Sequence, residues 1–332
     1  MRKLLVSIVV LLVMAAGVVA GAAQLAWREL HRSQPLPVAG VVVSVTPGDH
    51  FRTVANRLQA AGILRHGWLL SLWARVNALD RQVRPGDYRF ERALTPIEVL
   101  DLLRSPLAAL HRVTIPEGST AEQIAAIWAA QGFGGVDAFM LAAHDPNLLA
   151  DLDLPASGVE GYLFPNTYAA QWSDAPAEII RRMVARFRAV ASELDALRRQ
   201  RDLTVQAWVT LASIVEKETG APSERALVAA VFLNRLRSHW PLQSDPTVIY
   251  GIEAFDGNLT KAQLRQPTRY NTYTIPGLPP GPICNPGRAA LAAVLQPAAV
   301  DSLYFVARGD GTHQFSTTLA EHNRAVDRFQ RK

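Results

Sequence analysis

Two glutamates near the end of an apolar stretch are the residues in this sequence best suited to acid–base chemistry. They are Glu216 and Glu218, in residues 204–220, TVQAWVTLASIVEKETG. On a helical wheel Gln206, Thr210, Ser213 and Lys217 form one narrow polar face. Both glutamates leave that face: Glu216 follows Val209 and Ala212, and Glu218 follows Leu211 and Ile214, at helical spacing. A carboxyl group in an apolar surround titrates above its ordinary value of about 4.3, which a general acid working near neutral pH requires. Gly220 reads as the position just past the helix end, where the helix dipole disfavours an anion by about 0.3–1 kcal/mol. The competing reading is a structural ion pair with an arginine or with Lys217. The wheel alone does not choose between the two glutamates, nor between the two readings.

The elements that must carry such a helix are legible around it. Residues 176–201 have apolar positions at Ile179, Ile180, Met183, Val184, Phe187, Val190 and Leu194, the pattern of an amphipathic helix with an arginine-rich solvated face. Residues 227–236 repeat a helical pattern. Residues 241–251 (PLQSDPTVIYG) and 270–287 (YNTYTIPGLPPGPICNPG) then read as long irregular loops holding Tyr250, Tyr270 and Tyr273, the kind of segment that brings hydroxyls and rings over a scaffold. Turn chemistry also accounts for Asp245-Pro246, and Asn285-Pro286 fits a cap for a helix beginning near Gly287. At the C-terminus, residues 303–307 and 314–316 flank a turn containing Asp-Gly and predict a hairpin. Thr318 and Glu321 fit a capping box, while His313 and His322 read as exposed turn and helix histidines.

Upstream, residues 4–26 contain no charge, and 23 residues at 1.5 Å each span a hydrocarbon layer of about 30 Å. Arg2 and Lys3 precede the run, favouring a cytoplasmic N-terminus and an external body. A cleaved signal peptide is the alternative, given the cluster of alanines, but the run exceeds the usual apolar region of such a peptide and Trp27-Arg28 follows as an interfacial anchor. Residues 27–40, with Pro35 and Pro37, read as a linker. An internal repeat at an offset of 70 places Val45, Gly48, Val54, Ala55, Leu58 and Gly62 on Ile115, Gly118, Ile124, Ala125, Trp128 and Gly132. Each copy reads as strand, glycine turn, helix and glycine stop, with Ser119 and Glu122 fitting a capping box in the second. A looser echo relates residues 85–90 to 160–165.

Composition excludes several classes of function. With 332 residues, 49% hydrophobic and 19% charged, the chain folds with a sizeable core. Its formal net charge of +5, without a basic stripe interleaved with aromatics, argues against nucleic acid. Cys284 is the only cysteine, so no intramolecular disulfide or thiolate-rich zinc site is available, and the histidines show no HExxH spacing. No GxSxG elbow, no serine followed three residues later by lysine and no phosphate-binding glycine fingerprint is present. No metal or cofactor is expected. A carboxyl group on a buried helix, with hydroxyl- and ring-bearing loops and a body held outside a membrane, suits polysaccharide cleavage.

The sequence resembles the endolytic murein transglycosylases of the bacterial inner membrane, the YceG-like proteins. The resemblance runs through IPEGST, EGYLFPNTY, ASIVEKET, VFLNRLR, LQSDPTVIYG, YNTY, GLPPGPICNPG and YFVARGDGTHQFS, in the family's order. It implies an α+β chain: a cytoplasmic tail (1–3), a single transmembrane helix (4–26), a linker (27–40), a small LysM-like α/β subdomain (41–112) and a mainly helical catalytic domain (113–332) with a few short strands and a C-terminal hairpin. It implies non-hydrolytic cleavage of the β-1,4 bond between N-acetylmuramic acid and N-acetylglucosamine, leaving 1,6-anhydro ends. Glu216, the first glutamate of IVEKET, is implied as the catalytic acid, Glu218 as a supporting group and Glu224 as an early-helix residue. Glu160, Tyr168, Gln243, Ser244, Asp245, Thr247, Tyr270, Asn271 and Tyr273 lie in family motifs and are candidates for the glycan groove, with Asp245 a candidate to orient Glu216. Glycan strands, the inner membrane and peptidoglycan synthases are the implied partners.

Overall fold

The computed structural model describes the chain except residues 1, 37–39, 106–110, 172–173, 254 and 332, and except the side chains of residues 2–10 and 12. It is mostly helical with short strands, and its contacts divide into two compact units, residues 1–112 with 169–173, and 113–168 with 174–332.

The first unit begins with helix α1 (Arg2–Leu30). Strand β1 (Val41–Val45), helices α2 (Phe51–Ala60) and α3 (Gly67–Val76), strand β2 (Gly86–Phe90) and helix α4 (Pro96–Arg104) follow. Strands β1 and β2 pair antiparallel, Val41 opposite Phe90 and Val45 opposite Gly86. The alternation of Val43 and Val45 sends one face of β1 onto a core with Leu58, Leu70, Tyr88, Phe90 and Leu103, all essentially solvent-free. Tyr88 satisfies its buried hydroxyl by donating to the carbonyls of Arg84 and Leu103 at 2.8 Å. Helix α4 starts at a capping box of Thr95 and Glu98.

One feature of this unit differs from the sequence expectation of a linker over residues 27–40: α1 continues to Leu30, which is 2% exposed within this core, while residues 37–39 lie outside the described residues. Gln34 then bridges to Leu94. Among the described residues no helix is long and apolar enough to cross a membrane. The side chains of residues 4–10 and 12, which make up part of the expected span, lie outside the described residues.

Strand β3 (His111–Thr114), helices α5 (Ala121–Ala130), α6 (Val136–Ala143) and α7 (Pro146–Asp151) and strand β4 (Thr167–Ala170) come next. Strand β3 pairs with β4. Both copies of the internal repeat take the same local form: β1, Gly48, α2 and Gly62 in one, β3, Gly118, α5 and Gly132 in the other, with all four glycines at positive φ. The α5 capping box sits one residue later than expected, on Thr120 and Gln123, because Ser119 donates to the carbonyl of Pro116 instead. The looser echo forms a strand only in its first copy; after residues 160–165 the strand begins at Thr167.

The rest of the second unit is helical: α8 (Pro176–Gln200), α9 (Val205–Glu218), a short turn at Pro222–Glu224, α10 (Arg225–Arg237), α11 (Asp245–Tyr250), α12 (Lys261–Arg265) and α13 (Arg288–Leu295). The hairpin β5 (Tyr304–Ala307) and β6 (His313–Ser316) pairs Tyr304 with Ser316 and Ala307 with His313, and α14 (Leu319–Phe329) ends the chain behind its Thr318–Glu321 capping box. Helix α9 packs against α10 and α13, with Trp208, Leu211, Ile214, Phe232, Leu291 and Val294 solvent-free. The middle of its polar stripe is buried too, at Thr210 and Ser213, while Gln206 and Lys217 at the two ends are exposed. Ser213 Oγ accepts from the amide of Ile283, and Gln206 donates to the carbonyl of Pro280, so the stripe also holds the proline-rich loop.

Candidate active site

The sequence of α9 positions its carboxylates by capping one end and packing the middle. Thr204 accepts from the amide of Ala207 at the N-cap, and Trp208 Nε1 donates to the carbonyl of Leu291, fixing the helix's rotation. Residues two apart on a helix lie about 200° apart, so Glu216 and Glu218 enter different environments.

Glu216 sits in an ion pair. Its side chain is 5% exposed, accepts from the amide of Gly287 at 2.8 Å and lies 3.3 Å from Arg225 Nη2. Gly287 is the N-cap of α13, so a helix N-terminus faces the anion and offsets the unfavourable C-terminal position on α9. Arg225 also reaches Glu117 at 3.8 Å, and burial together with the Glu216 charge raises the Glu117 carboxyl.

Glu218 has no such cation against it. Burial pushes its carboxyl up to about 7, against the hydrogen bond from Ser244, which lowers it; the charge of Asp245 raises it further, and those of His313 and Arg235 oppose. Ser244 Oγ donates at 2.5 Å. Asp245, exposed at the start of α11, accepts from the Tyr273 hydroxyl at 2.7 Å. Arg235 is held in place by its donations to the carbonyls of Leu303 and Leu242. The fold thus gathers Glu218, Ser244, Asp245, Tyr273 and Arg235 from α9, α10, α11 and the loop after α12. Asp245 is a neighbour of Glu218, not a partner of Glu216.

The other candidates divide by burial. Thr247 is solvent-free; its hydroxyl donates to the carbonyl of Ser244 and meets Thr272 Oγ1 at 2.8 Å. Asn271 is solvent-free and spans the carbonyls of Gln263, Leu264 and Gln266, closing the end of α12. Tyr168 is 8% exposed and donates to the carbonyl of Phe164. In all three the polar side-chain atoms are committed to hydrogen bonds within the protein. Gln243 is exposed with φ 50°, its amide bonded to the carbonyl of Thr272.

Glu160 belongs to a separate cleft of about 870 Å³, lined also by Lys217, Pro246, Ile249, Tyr250 and Phe255. Its carboxyl accepts from the amide of Ala121, from Asn285 Nδ2 at 2.8 Å and from the Tyr250 hydroxyl at 3.3 Å, yet burial still pushes it up to about 7. The rings of Tyr250 and Tyr270 meet edge to face at 4.8 Å. Asn285 does not cap α13; it ties Leu163, Ser119 and Glu160 together instead.

Sequence reasoning passed over Arg235 and the pairing of His313 with Glu224. His313 is half-buried rather than exposed, and Glu224 accepts from its amide at 2.8 Å and lies 2.7 Å from its Nδ1. Arg235 offered the one usable signal, an arginine within the largely apolar run VFLNRL of α10; the pairing of His313 with Glu224 crosses 89 residues and left none.

The fold therefore sets a buried carboxyl, raised by its surroundings, among hydroxyl, aromatic and cationic groups on a helical scaffold, an arrangement chemically able to donate and accept a proton. The chain belongs to the YceG-like family, whose profile matches residues 43–328. It is 30% identical over 319 aligned positions to a protein of Streptococcus pneumoniae named endolytic murein transglycosylase, covering 86% of this chain and 58% of that protein. A Bacillus subtilis protein of the same name is 37% identical over 172 positions, covering 52% of this chain and 48% of its own length. The chain thus spans about half the length of these curated relatives. A YceG-like protein of Listeria monocytogenes, known from a 2.6 Å crystal structure, matches with a TM-score of 0.63 and 28% identity over 86% of this chain and 98% of that one.

Proposed function

We propose that this chain is an endolytic murein transglycosylase, a lyase that cuts peptidoglycan glycan strands internally, with Glu218 rather than Glu216 as its catalytic acid. The observation that carries the assignment is the Glu218 carboxyl, raised to about 7 and flanked by Asp245, whereas Glu216 is paired with Arg225 and the N-terminus of α13. An acid titrating near neutrality is both donor and, once ionised, base.

In this mechanism Glu218 protonates the glycosidic oxygen between N-acetylmuramic acid and N-acetylglucosamine as the C1–O bond breaks. The Glu218 carboxylate then takes the proton of the muramoyl C6 hydroxyl, whose oxygen attacks C1 and closes the 1,6-anhydro ring. The proton count returns to its start, and no water is consumed. Because the substrate supplies the nucleophile, one carboxyl suffices where ordinary glycosidases use two. Burial, with the charge of Asp245 adding to it, raises Glu218, and the Tyr273 hydroxyl holds Asp245 in place. The Glu160 cleft, beginning at Pro246 beside Asp245, is the candidate seat for neighbouring sugars, with Tyr250 as a ring platform backed by Tyr270.

The same reading takes residues 4–26 as a single inner-membrane span, with the body on the periplasmic side and peptidoglycan synthases as its protein partners. In support, every described side chain from Val13 to Leu25 is exposed and none is charged, a surface suited to lipid and not to water. Residues 41–112 are taken as the LysM-like subdomain, which the order β1, α2, α3, β2 supports, and residues 113–332 as the catalytic domain.

The test is mass spectrometry of purified glycan strands incubated with the wild-type protein and with Glu218→Gln and Glu216→Gln. Anhydro ends from the wild type, reduced by roughly 100-fold or more in Glu218→Gln and still measurable in Glu216→Gln, are expected. Reducing ends from the wild type would overturn the lyase reading, and loss in Glu216→Gln with activity in Glu218→Gln would return the acid to Glu216.

A further inference from the structure

Helix α3 presents an apolar stripe that nothing in its own unit covers. Trp68, Leu72 and Val76, spaced four apart on one face, are 63%, 53% and 75% exposed, while Leu69, Leu70 and Ala74 bury the opposite side in the core. Three large apolar side chains in a row on a ten-residue helix form a continuous patch rather than scattered exposure.

The position of this stripe relative to α1 identifies its occupant. Helix α1 enters the core of the first unit at Leu30, and the Trp27 ring meets Trp73 of α3 edge to face, with centroids 5.8 Å apart. Trp27 is the first residue after the uncharged run, at the level where an aromatic side chain marks the membrane–water boundary. Along the α3 axis, Leu72 is displaced from Trp73 by about 1.5 Å, Trp68 by about 7.5 Å in the same direction and Val76 by about 4.5 Å in the other. The stripe therefore flanks, along α3, the residue that meets Trp27. Arg75 on α3 and Arg28 and Arg32 near the end of α1 are exposed around it, a set of charges that complements anionic headgroups, with Glu29 and Asp80 the nearby acids.

We propose that the first unit lies on the bilayer surface through α3, with Trp68, Leu72 and Val76 seated in the headgroup region of an anionic membrane beside the exit of α1. This rests on reading residues 4–26 as a membrane span. The unit is then a lipid-seated foot instead of a body on a tether, since the short path from Trp27 to Leu30 leaves no free chain between span and core. The stripe's other possible occupant is glycan, because Trp68, Leu72 and Arg75 also line a groove of about 750 Å³ with His50 and Asn56. The aliphatic Leu72 and Val76, and the contact with α1, favour lipid over sugar.

The experiment uses the full chain in liposomes containing phosphatidylglycerol, labelled with an environment-sensitive fluorophore at Leu72→Cys or, separately, at Val18→Cys. Native Cys284 is solvent-free and does not react. The expected result is a blue-shifted emission at both positions, with loss of fluorescence when nitroxide-bearing lipid is included. Quenching at position 18 but not at 72 overturns the surface docking while the span stands. Quenching at neither position overturns both. Added glycan strands that shift the label at 72 while nitroxide lipid does not would assign the stripe to glycan and overturn the proposal. A Trp68→Ser, Val76→Ser double variant, at exposed positions that the core does not need, is expected to lose quenching at 72 and keep it at 18; unchanged quenching at 72 would also overturn it.

Discussion

At the scale of residues, the site turns on how two carboxyls of one short motif are made different. Glu216 meets a guanidinium and a helix N-terminus; Glu218 meets a hydroxyl and another carboxylate. Removing the charge at Asp245→Asn takes away an influence that raises Glu218, so the acid ionises at lower pH. The alkaline limb of the kcat/KM profile is therefore expected to move down in pH, and an unmoved limb would separate Asp245 from the acid. Glu160 gives a stability test. Its folded-state value of about 7 lies above its ordinary 4.5, so its contribution is full below 4.5 and lost as pH rises through 7. The difference corresponds to about 3 kcal/mol as an upper figure. Glu160→Gln, which cannot ionise, is expected to gain in Tm relative to the wild type between pH 5 and pH 8.5, read by calorimetry.

At the scale of elements, α9 is held by close backbone approach as much as by apolar packing. Gly161 lies at φ +87°, and a methyl group there would meet the Pro282 ring at 2.4 Å and Val209 of α9 at 2.9 Å. A proline ring and a solvent-free valine on a packed helix do not yield easily. Gly161→Ala is expected to cost about 3 kcal/mol through strain and overpacking, seen as a lower denaturant midpoint. The same change would shift the loop that carries Gly287 and Asn285. Thr204→Ala removes the α9 N-cap alone and is expected to cost about 1 kcal/mol. Equal losses in the two variants would mean that Gly161 is not a tight contact.

At the scale of the molecule, the point at which α1 joins the first unit decides where the chain can be shortened. Deleting residues 2–25 stops short of Ala26 and Trp27, which meet the first unit, and is expected to move the protein from the membrane pellet to the supernatant with its Tm unchanged. Deleting residues 2–32 also removes Leu30 from the core, and losing a buried leucine costs about 2–5 kcal/mol. Calorimetry of the two truncations distinguishes an anchor built into the fold from one merely attached to it; equal Tm values would mean that Leu30 is dispensable.

The periodicity of α8, the strand–turn–helix repeat, the C-terminal hairpin and the Thr318–Glu321 box were all readable from the sequence, because each depends on neighbours within a turn or a hairpin. The family was readable from the order of its motifs, and the presence of an acid at the end of α9 from the wheel. What the wheel could not supply was the surroundings of that acid. Arg225, Gly287, Ser244 and Asp245 lie between 9 and 71 residues from the glutamates they meet, and motif membership alone did not distinguish solvent-free residues such as Asn271 and Thr247 from residues facing the site. A carboxyl's proton affinity depends on the charges and the desolvation within a few ångströms, and packing sets both. Only the tertiary structure therefore shows which of the two glutamates is paired with a cation and a helix N-terminus and which is raised by burial.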